Sequence, residues 1–294
     1  MAKSSFAGGL SDFSHYVAQR KRSAFGGEGA PRYAYGADLA MLQTFRRIKP
    51  VEMAAASIVR MYKDVFKNQL LGTTVKVTPR QFPSLYKITE ECAEALGVPV
   101  PTLYVANSPV MNAYTFGTDD DAFIVVHSAL IDHYEPDELR FVIGHETGHI
   151  QNKHVVYGTV LILLKQSAAA ILKFIAPPID VALNSWYRRA EITCDRAGLL
   201  CCGDLESAAR AFLKLGCGSQ KLYGEFDVQE YVDQAQEGRS GVGRLAELFA
   251  THPYLPKRIE ALQVFAESEY FRTAKGLGEG ILYLYTEVTD HFVE

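Results

Sequence analysis

His145, Glu146 and His149 lie in the run FVIGHETGHI (residues 141–150), and residues of these types at this spacing could build a hydrolytic metal centre. On a helix, residues i and i+4 share a face with Cβ atoms about 5–6 Å apart. Two imidazoles so placed can reach one Zn²⁺ at about 2.0–2.1 Å. Glu146 is one step round the helix, beside the metal, where a carboxylate can take a proton from a water that the metal activates. Gly144 and Gly148 are also i and i+4. Each costs up to ~1 kcal/mol of helix propensity. Helix building alone does not favour them; close packing together with room for a substrate would.

A catalytic site needs a third ligand, and three places could supply it. His154 is five residues beyond His149, about 140° round a continuing helix, which predicts a surface histidine. The metzincin continuation H-x-x-G-x-x-H is not met, because its two positions are Asn152 and Val155. Glu191 and Asp195, in AEITCDRAG (190–198), are i and i+4 and point the same way. Glu191 would complete a His₂Glu set with one position open, and Asp195 could accept the N–H of a liganding imidazole. The plainer alternative is a solvated helix face with Arg188, Arg189 and Arg196 as ion-pair partners. His252, in ATHPYLPKRI (250–259), could approach the metal or donate to a developing oxyanion. A His-Pro pair is also an ordinary turn after a helix.

The histidines need a helix, and EPDELRFVIGHETGHIQ (135–151) provides the signals for one. Pro136 suits the first turn, and Asp137 and Glu138 suit the positive end of the helix dipole. SWYRRAEITCDRAGLLCC (185–202) reads as a second helix. PTLYVA (101–106), AYTFG (113–117) and AFIVVHSAL (122–130) read as strands, and Gly117 with TDDD predicts a hairpin between the last two. Upstream, ADLAMLQTFRRI and VEMAAASIVRMYKDVFKNQLL predict amphipathic helices divided by Pro50, with GTTVKVT as a short strand. Ser84 is the expected N-cap of LYKITEECAEAL, which should stop at Gly97. From Leu205 on the pattern is mostly helical. The expected architecture is α+β, a small antiparallel sheet within a mostly helical body.

The chain has 294 residues, 48% hydrophobic and 22% charged, the profile of a soluble globular protein. A net charge of −4 and pI near 6.1 give no broad basic footprint, so no nucleic-acid partner is expected. The first residues lack a continuous apolar run, so no cleaved secretory signal is expected. Cys92, Cys194, Cys201, Cys202 and Cys217 form neither a disulfide framework nor a CxxC zinc site. They read as small buried residues of a cytoplasmic protein. The most apolar stretch, 155–183, is interrupted by Lys165 and Lys173 and ended by Pro177-Pro178. Its longest charge-free run is about half of the roughly 20 residues that a spanning helix needs. It reads as a buried or interface helix, with peripheral membrane contact as the alternative.

HETGH, then EITCD some forty residues on, then THPYLPKRI, resembles the M48 family of zinc peptidases, which groups the HtpX and Ste24 types with soluble bacterial relatives. The resemblance takes in VTPRQFPSLY, ALGVPVPTLYV, NAYTFG, FIVVHSALID and RRAEITCDRAGLL, most of residues 77–262. It implies a gluzincin fold with one Zn²⁺ per chain held by His145, His149 and Glu191, and with Glu146 as general base. It further implies Asp195 behind a ligand and Arg258 as its anchor. His252 would sit over the metal, and Asn112 and Ala113 would hold substrate backbone on an edge strand. The organisation that follows is a flexible arm at 1–35, a helical region at 36–76, a peptidase domain at 77–265 and an extension at 266–294. The activity implied is endopeptidase cleavage of unfolded or misfolded polypeptides. A chaperone-like protein that binds such clients, its zinc site closed by His252, is the alternative. Thr147 stands where the family commonly has an apolar residue, and against the clear transmembrane helices of the HtpX and Ste24 types this sequence offers at most the interrupted stretch at 155–183.

Overall fold

The computed structural model describes residues 31–166, 177–237 and 255–277. Helices α1 (Gly36–Arg47) and α2 (Lys49–Thr73) come first, with Pro50 in the opening turn of α2, where its missing N–H costs nothing. Strand β1 (Thr74–Lys76) leads to helix α3 (Pro83–Leu96). Ser84 is inside α3 rather than capping it: Phe82, at φ 62, is the cap residue and Pro83 sets the entry. Gly97 ends α3 in the left-handed region, as expected.

Strands β2 (Thr102–Ala106), β3 (Ala113–Gly117) and β4 (Ala122–His127) join β1 in a sheet of order β1-β2-β4-β3. The expected β3–β4 hairpin is present, with Gly117 opposite Ala122. β2 runs parallel to β4, so the sheet is mixed rather than antiparallel throughout. The chain passes beyond the position of β4, returns as the outer strand β3, and only then fills the space beside β2. β4 is therefore central, and Phe123, Ile124, Val125 and Val126 are all buried, which explains their unbroken apolar run.

Helices α4 (Ser128–His133), α5 (Pro136–Gln151), α6 (Val155–Gln166) and α7 (Pro177–Cys202) follow, then α8 (Leu205–Cys217) and a 3₁₀ turn (Gln220–Glu225). α9 (Val228–Glu237), α10 (Leu255–Glu267) and α11 (Glu269–Ala274) complete the described chain. A capping box starts α5, in which Glu138 accepts from the Glu135 N–H at 2.8 Å. α5 and α7 pack along one another, and glycines permit the approach. A Cβ on Gly144 would lie 2.6 Å from Cys201 Cβ, one on Gly148 2.7 Å from Ala197 Cβ, and one on Gly198 2.6 Å from the Phe141 carbonyl oxygen. Gly144 and Gly148 thus serve the close packing expected of them, while the expected room for a substrate is not what they face.

Residues 1–30 of the expected arm lie outside the described residues, but Tyr33, Ala34 and Tyr35 at its end are buried. In the apolar stretch, Tyr157, Val160 and Leu161 pack with Leu42 of α1 and Val59 of α2, while 167–176 lie outside the described residues. No described helix is long and apolar enough to cross a membrane.

Gly144→Ala should lower stability by about 1–3 kcal/mol through overpacking, despite a gain in helix propensity. A denaturant midpoint equal to that of the wild type would refute the close-packing account.

Candidate metal centre and active site

The close approach of α5 and α7 brings Glu191 under both histidines. His145 Nε2 is 3.6 Å from Glu191 Oε2, and His149 Nε2 is 3.4 Å from Glu191 Oε1. All three side chains are buried, and their donor atoms lie within 4.8 Å of one another. Metal bonds of about 2.1 Å in a tetrahedron place donors ~3.4 Å apart, so this N₂O set fits a zinc ion with little adjustment. It is the set a catalytic zinc site uses, with one position left for other molecules.

Asp195 sits behind this set. Its Oδ1 accepts from His145 Nδ1 at 2.9 Å, which leaves Nε2 to face Glu191. Arg258 of α10 grips Asp195 with Nε at 2.8 Å and Nη2 at 2.6 Å, and its Nη1 is 3.1 Å from Glu191 Oε2. The solvated-face alternative for Glu191 and Asp195 does not hold: both are 1% exposed, and Arg188 and Arg196 are themselves buried. Burial would raise the Asp195 pKa, but the Arg258 guanidinium and the His145 contact hold it below the ordinary carboxylate range. Burial alone would depress His145; Glu191 and Asp195 outweigh it and push the imidazole up to about 10. Burial dominates for His149, which lies below the ordinary histidine value.

Glu146 is fixed from the sheet. Thr115 of β3 donates its hydroxyl to Glu146 Oε2 at 2.6 Å, and its Oγ1 is also 3.1 Å from the Glu146 carbonyl oxygen. Thr115 was not singled out in the sequence, although period-two alternation puts it on the same face as Ala113. β3 is the outer strand of the described sheet, next to α5. At its far end Thr159 of α6 bonds both backbone groups of Gly117, at 3.1 and 3.2 Å. At its near end Asn112 and Ala113 border a cavity of about 220 Å³ that reaches His145, Glu146 and Glu191. Leu130, Phe141, Val142, Phe212, Leu215 and Leu255 make the rest of this cavity largely apolar.

The sequence expectation for His154 is overturned, because the residue is 0% exposed. α5 ends at Gln151, Lys153 takes φ 58, and the His154 N–H bonds the His149 carbonyl at 2.9 Å. The chain turns back there, so helical angles no longer apply. Thr147 is also buried, and its hydroxyl is satisfied by the Ile143 carbonyl at 2.7 Å. His252 lies outside the described residues.

The family model described as Peptidase family M48 matches residues 79–266. The chain belongs to that family. This M48 chain is 34% identical over 189 residues to the plastoglobule-localized metallopeptidase 48, chloroplastic, of Arabidopsis thaliana, a match covering 63% of the chain and 55% of that protein. It thus spans just over half the length of that relative. It is 28% identical over 225 residues to a protease HtpX homolog of Caldanaerobacter subterraneus subsp. tengcongensis, covering 64% of the chain and 74% of that protein. A crystal structure of Ste24p from S. mikatae aligns with 86% of the chain and 65% of its own, at 18% identity and TM-score 0.46.

Arg258→Met leaves two buried carboxylates without their guanidinium and should cost about 3–5 kcal/mol. The Asp195 pKa is depressed on folding, so its contribution is complete above the unfolded value of about 4 and is lost as pH falls through the folded value. Wild-type acid unfolding should therefore be steeper than that of Arg258→Met. Parallel pH–stability curves would contradict this.

Proposed function

We propose that this M48 member is a zinc-dependent metalloendopeptidase that cleaves unfolded or extended polypeptide. The reading is carried by one juxtaposition: the Glu146 carboxylate, steadied by Thr115, borders the His145–His149–Glu191 set and an apolar cavity beside an outer strand. A zinc ion held by that set would supply Lewis acidity toward water and a peptide carbonyl. Glu146 accepts the proton of the attacking water and delivers it to the leaving amine. The Thr115 hydroxyl, bonded to Oε2, fixes how the carboxylate is turned.

The polypeptide binds along β3, where main-chain hydrogen bonds give affinity with little regard to sequence. Asn112 and Ala113 contact its backbone, and the cavity takes an apolar side chain next to the bond that is cut. A folded protein seldom offers an extended segment, which is why unfolded chains are the expected substrates.

Degradation of casein by zinc-loaded protein should stop on chelation and return with zinc. Glu146→Gln should retain zinc while losing about 10²–10⁴-fold in rate. Equal zinc contents with no cleavage by either protein would sink the hydrolase reading and favour a client-binding one. Thr115→Val, which frees the carboxylate to turn, should lower kcat by up to about 10²-fold with little change in KM or zinc content. A change confined to KM would move Thr115 from Glu146 to substrate binding.

A further inference from the structure

The second histidine of the set has a support of its own, and that support ends outside the region matched by the family model. His149 turns Nε2 toward Glu191 at 3.4 Å, so Nδ1 points away from the donor set. Nδ1 must carry the ring proton when Nε2 binds a metal. It lies 3.3 Å from His154 Nδ1. His154 Nε2 in turn lies 3.0 Å from Asp38 Oδ2. Asp38 comes from α1, is 0% exposed, and also accepts from Trp186 Nε1 at 2.9 Å and Thr193 Oγ1 at 2.7 Å. One proton arrangement serves the whole chain. His149 Nδ1–H donates to His154 Nδ1, and His154 Nε2 lies at ion-pair distance from the Asp38 carboxylate without hydrogen-bond alignment. Cys194 Sγ, 3.6 Å from His154 Nδ1, is a weaker partner of the same nitrogen.

We propose that Asp38 and His154 are positioning residues for the metal centre, fixing the tautomer and orientation of His149 as Asp195 is placed to do for His145. The division of labour is geometric. Tyr187 stacks on the His149 ring, with centroids 5.4 Å apart and planes 8° from parallel, and so holds its plane. Stacking leaves rotation within that plane open; the bond to His154 sets which nitrogen faces Glu191. Burying a histidine and an aspartate is costly unless each is satisfied. Here His154 meets a candidate ligand through Nδ1 and the Asp38 carboxylate through electrostatic contact at Nε2, so α1, which precedes the matched peptidase region, becomes part of the site.

The inference rests on the zinc reading above, and its test separates the two. Zinc content and zinc Kd, by chelator competition, would be measured on the full chain as wild type, His154→Leu, His154→Asn and Asp38→Asn. Circular dichroism and melting of each protein without added zinc would accompany them. Expected are one zinc per wild-type chain and a Kd weakened about 10–100-fold in His154→Leu. Asp38→Asn should weaken Kd less. His154→Asn should recover part of the loss, because its amide oxygen can accept where Nδ1 did. Should His154→Leu fail to fold, the other two variants carry the comparison. A purely structural role would lower melting without added zinc and leave Kd unchanged, and that result overturns the proposal while sparing the zinc site. Absence of zinc from the wild type would overturn both readings. His149, His154 and Cys194 also form a possible donor set. Two zinc ions per chain, one lost in Cys194→Ser, would overturn the relay in favour of a second metal at His149 Nδ1.

Discussion

The arrangement depends on how closely α5 and α7 approach. A carboxylate on one helix reaches two imidazoles on another only if the backbones are nearer than ordinary side chains allow. Gly144, Gly148 and Gly198 remove the obstruction, at positions where a Cβ would come within 2.6–2.7 Å of its neighbours. Three glycines in helix interiors each give up helix propensity of up to ~1 kcal/mol. Placing Glu191 3.4–3.6 Å from both Nε2 atoms is what that loss permits.

Charge is the second constraint. Glu191 and Asp195 are both nearly inaccessible to water, and Arg258, held against both, supplies one positive charge between them. Two carboxylates and one guanidinium leave one negative charge where the histidine nitrogens converge, which a protonated His145 offsets in the metal-free chain and a bound cation would offset in its place. A buried charge of that kind favours binding a cation, because isolated it would be strongly destabilising. Arg258 therefore does two things at once. It stabilises the carboxylates without neutralising them fully, and it ties α10 to α7.

The surroundings divide the remaining tasks by element. The sheet supplies Thr115 to Glu146 and offers β3 beside the cavity. α8 and α10 close that cavity with Phe212, Leu215 and Leu255, which keeps it largely apolar. The segment from Tyr33 through α1 covers the opposite side, where Arg196 donates to the Tyr33 carbonyl at 3.1 Å and the Tyr35 N–H bonds Thr193 Oγ1 at 3.0 Å. Asp38 reaches His154 from that side, so α1 is joined to the helices that carry the donor set through polar contacts as well as packing.

The local features were legible in the residues alone. The i, i+4 pairs His145/His149 and Glu191/Asp195, the Pro136 start of α5, the Gly97 stop of α3 and the β3–β4 hairpin all follow from periodicity and turn chemistry acting over a few residues. The sequence left open what depends on distance. Glu191, His154 and His252 could each be offered as a third ligand, and only the packing of α7 on α5 set Glu191 against the two Nε2 atoms. A continuing helix would put His154 on the surface; the reversal at Lys153 is a backbone conformation that no hydrophobic pattern signals. The parallel pairing of β2 with β4, the Thr115–Glu146 bond and the reach of Asp38 to His154 are long-range contacts. They exist because the core assembles in one way, and spacing along a chain carries no record of which of several compatible surfaces will meet.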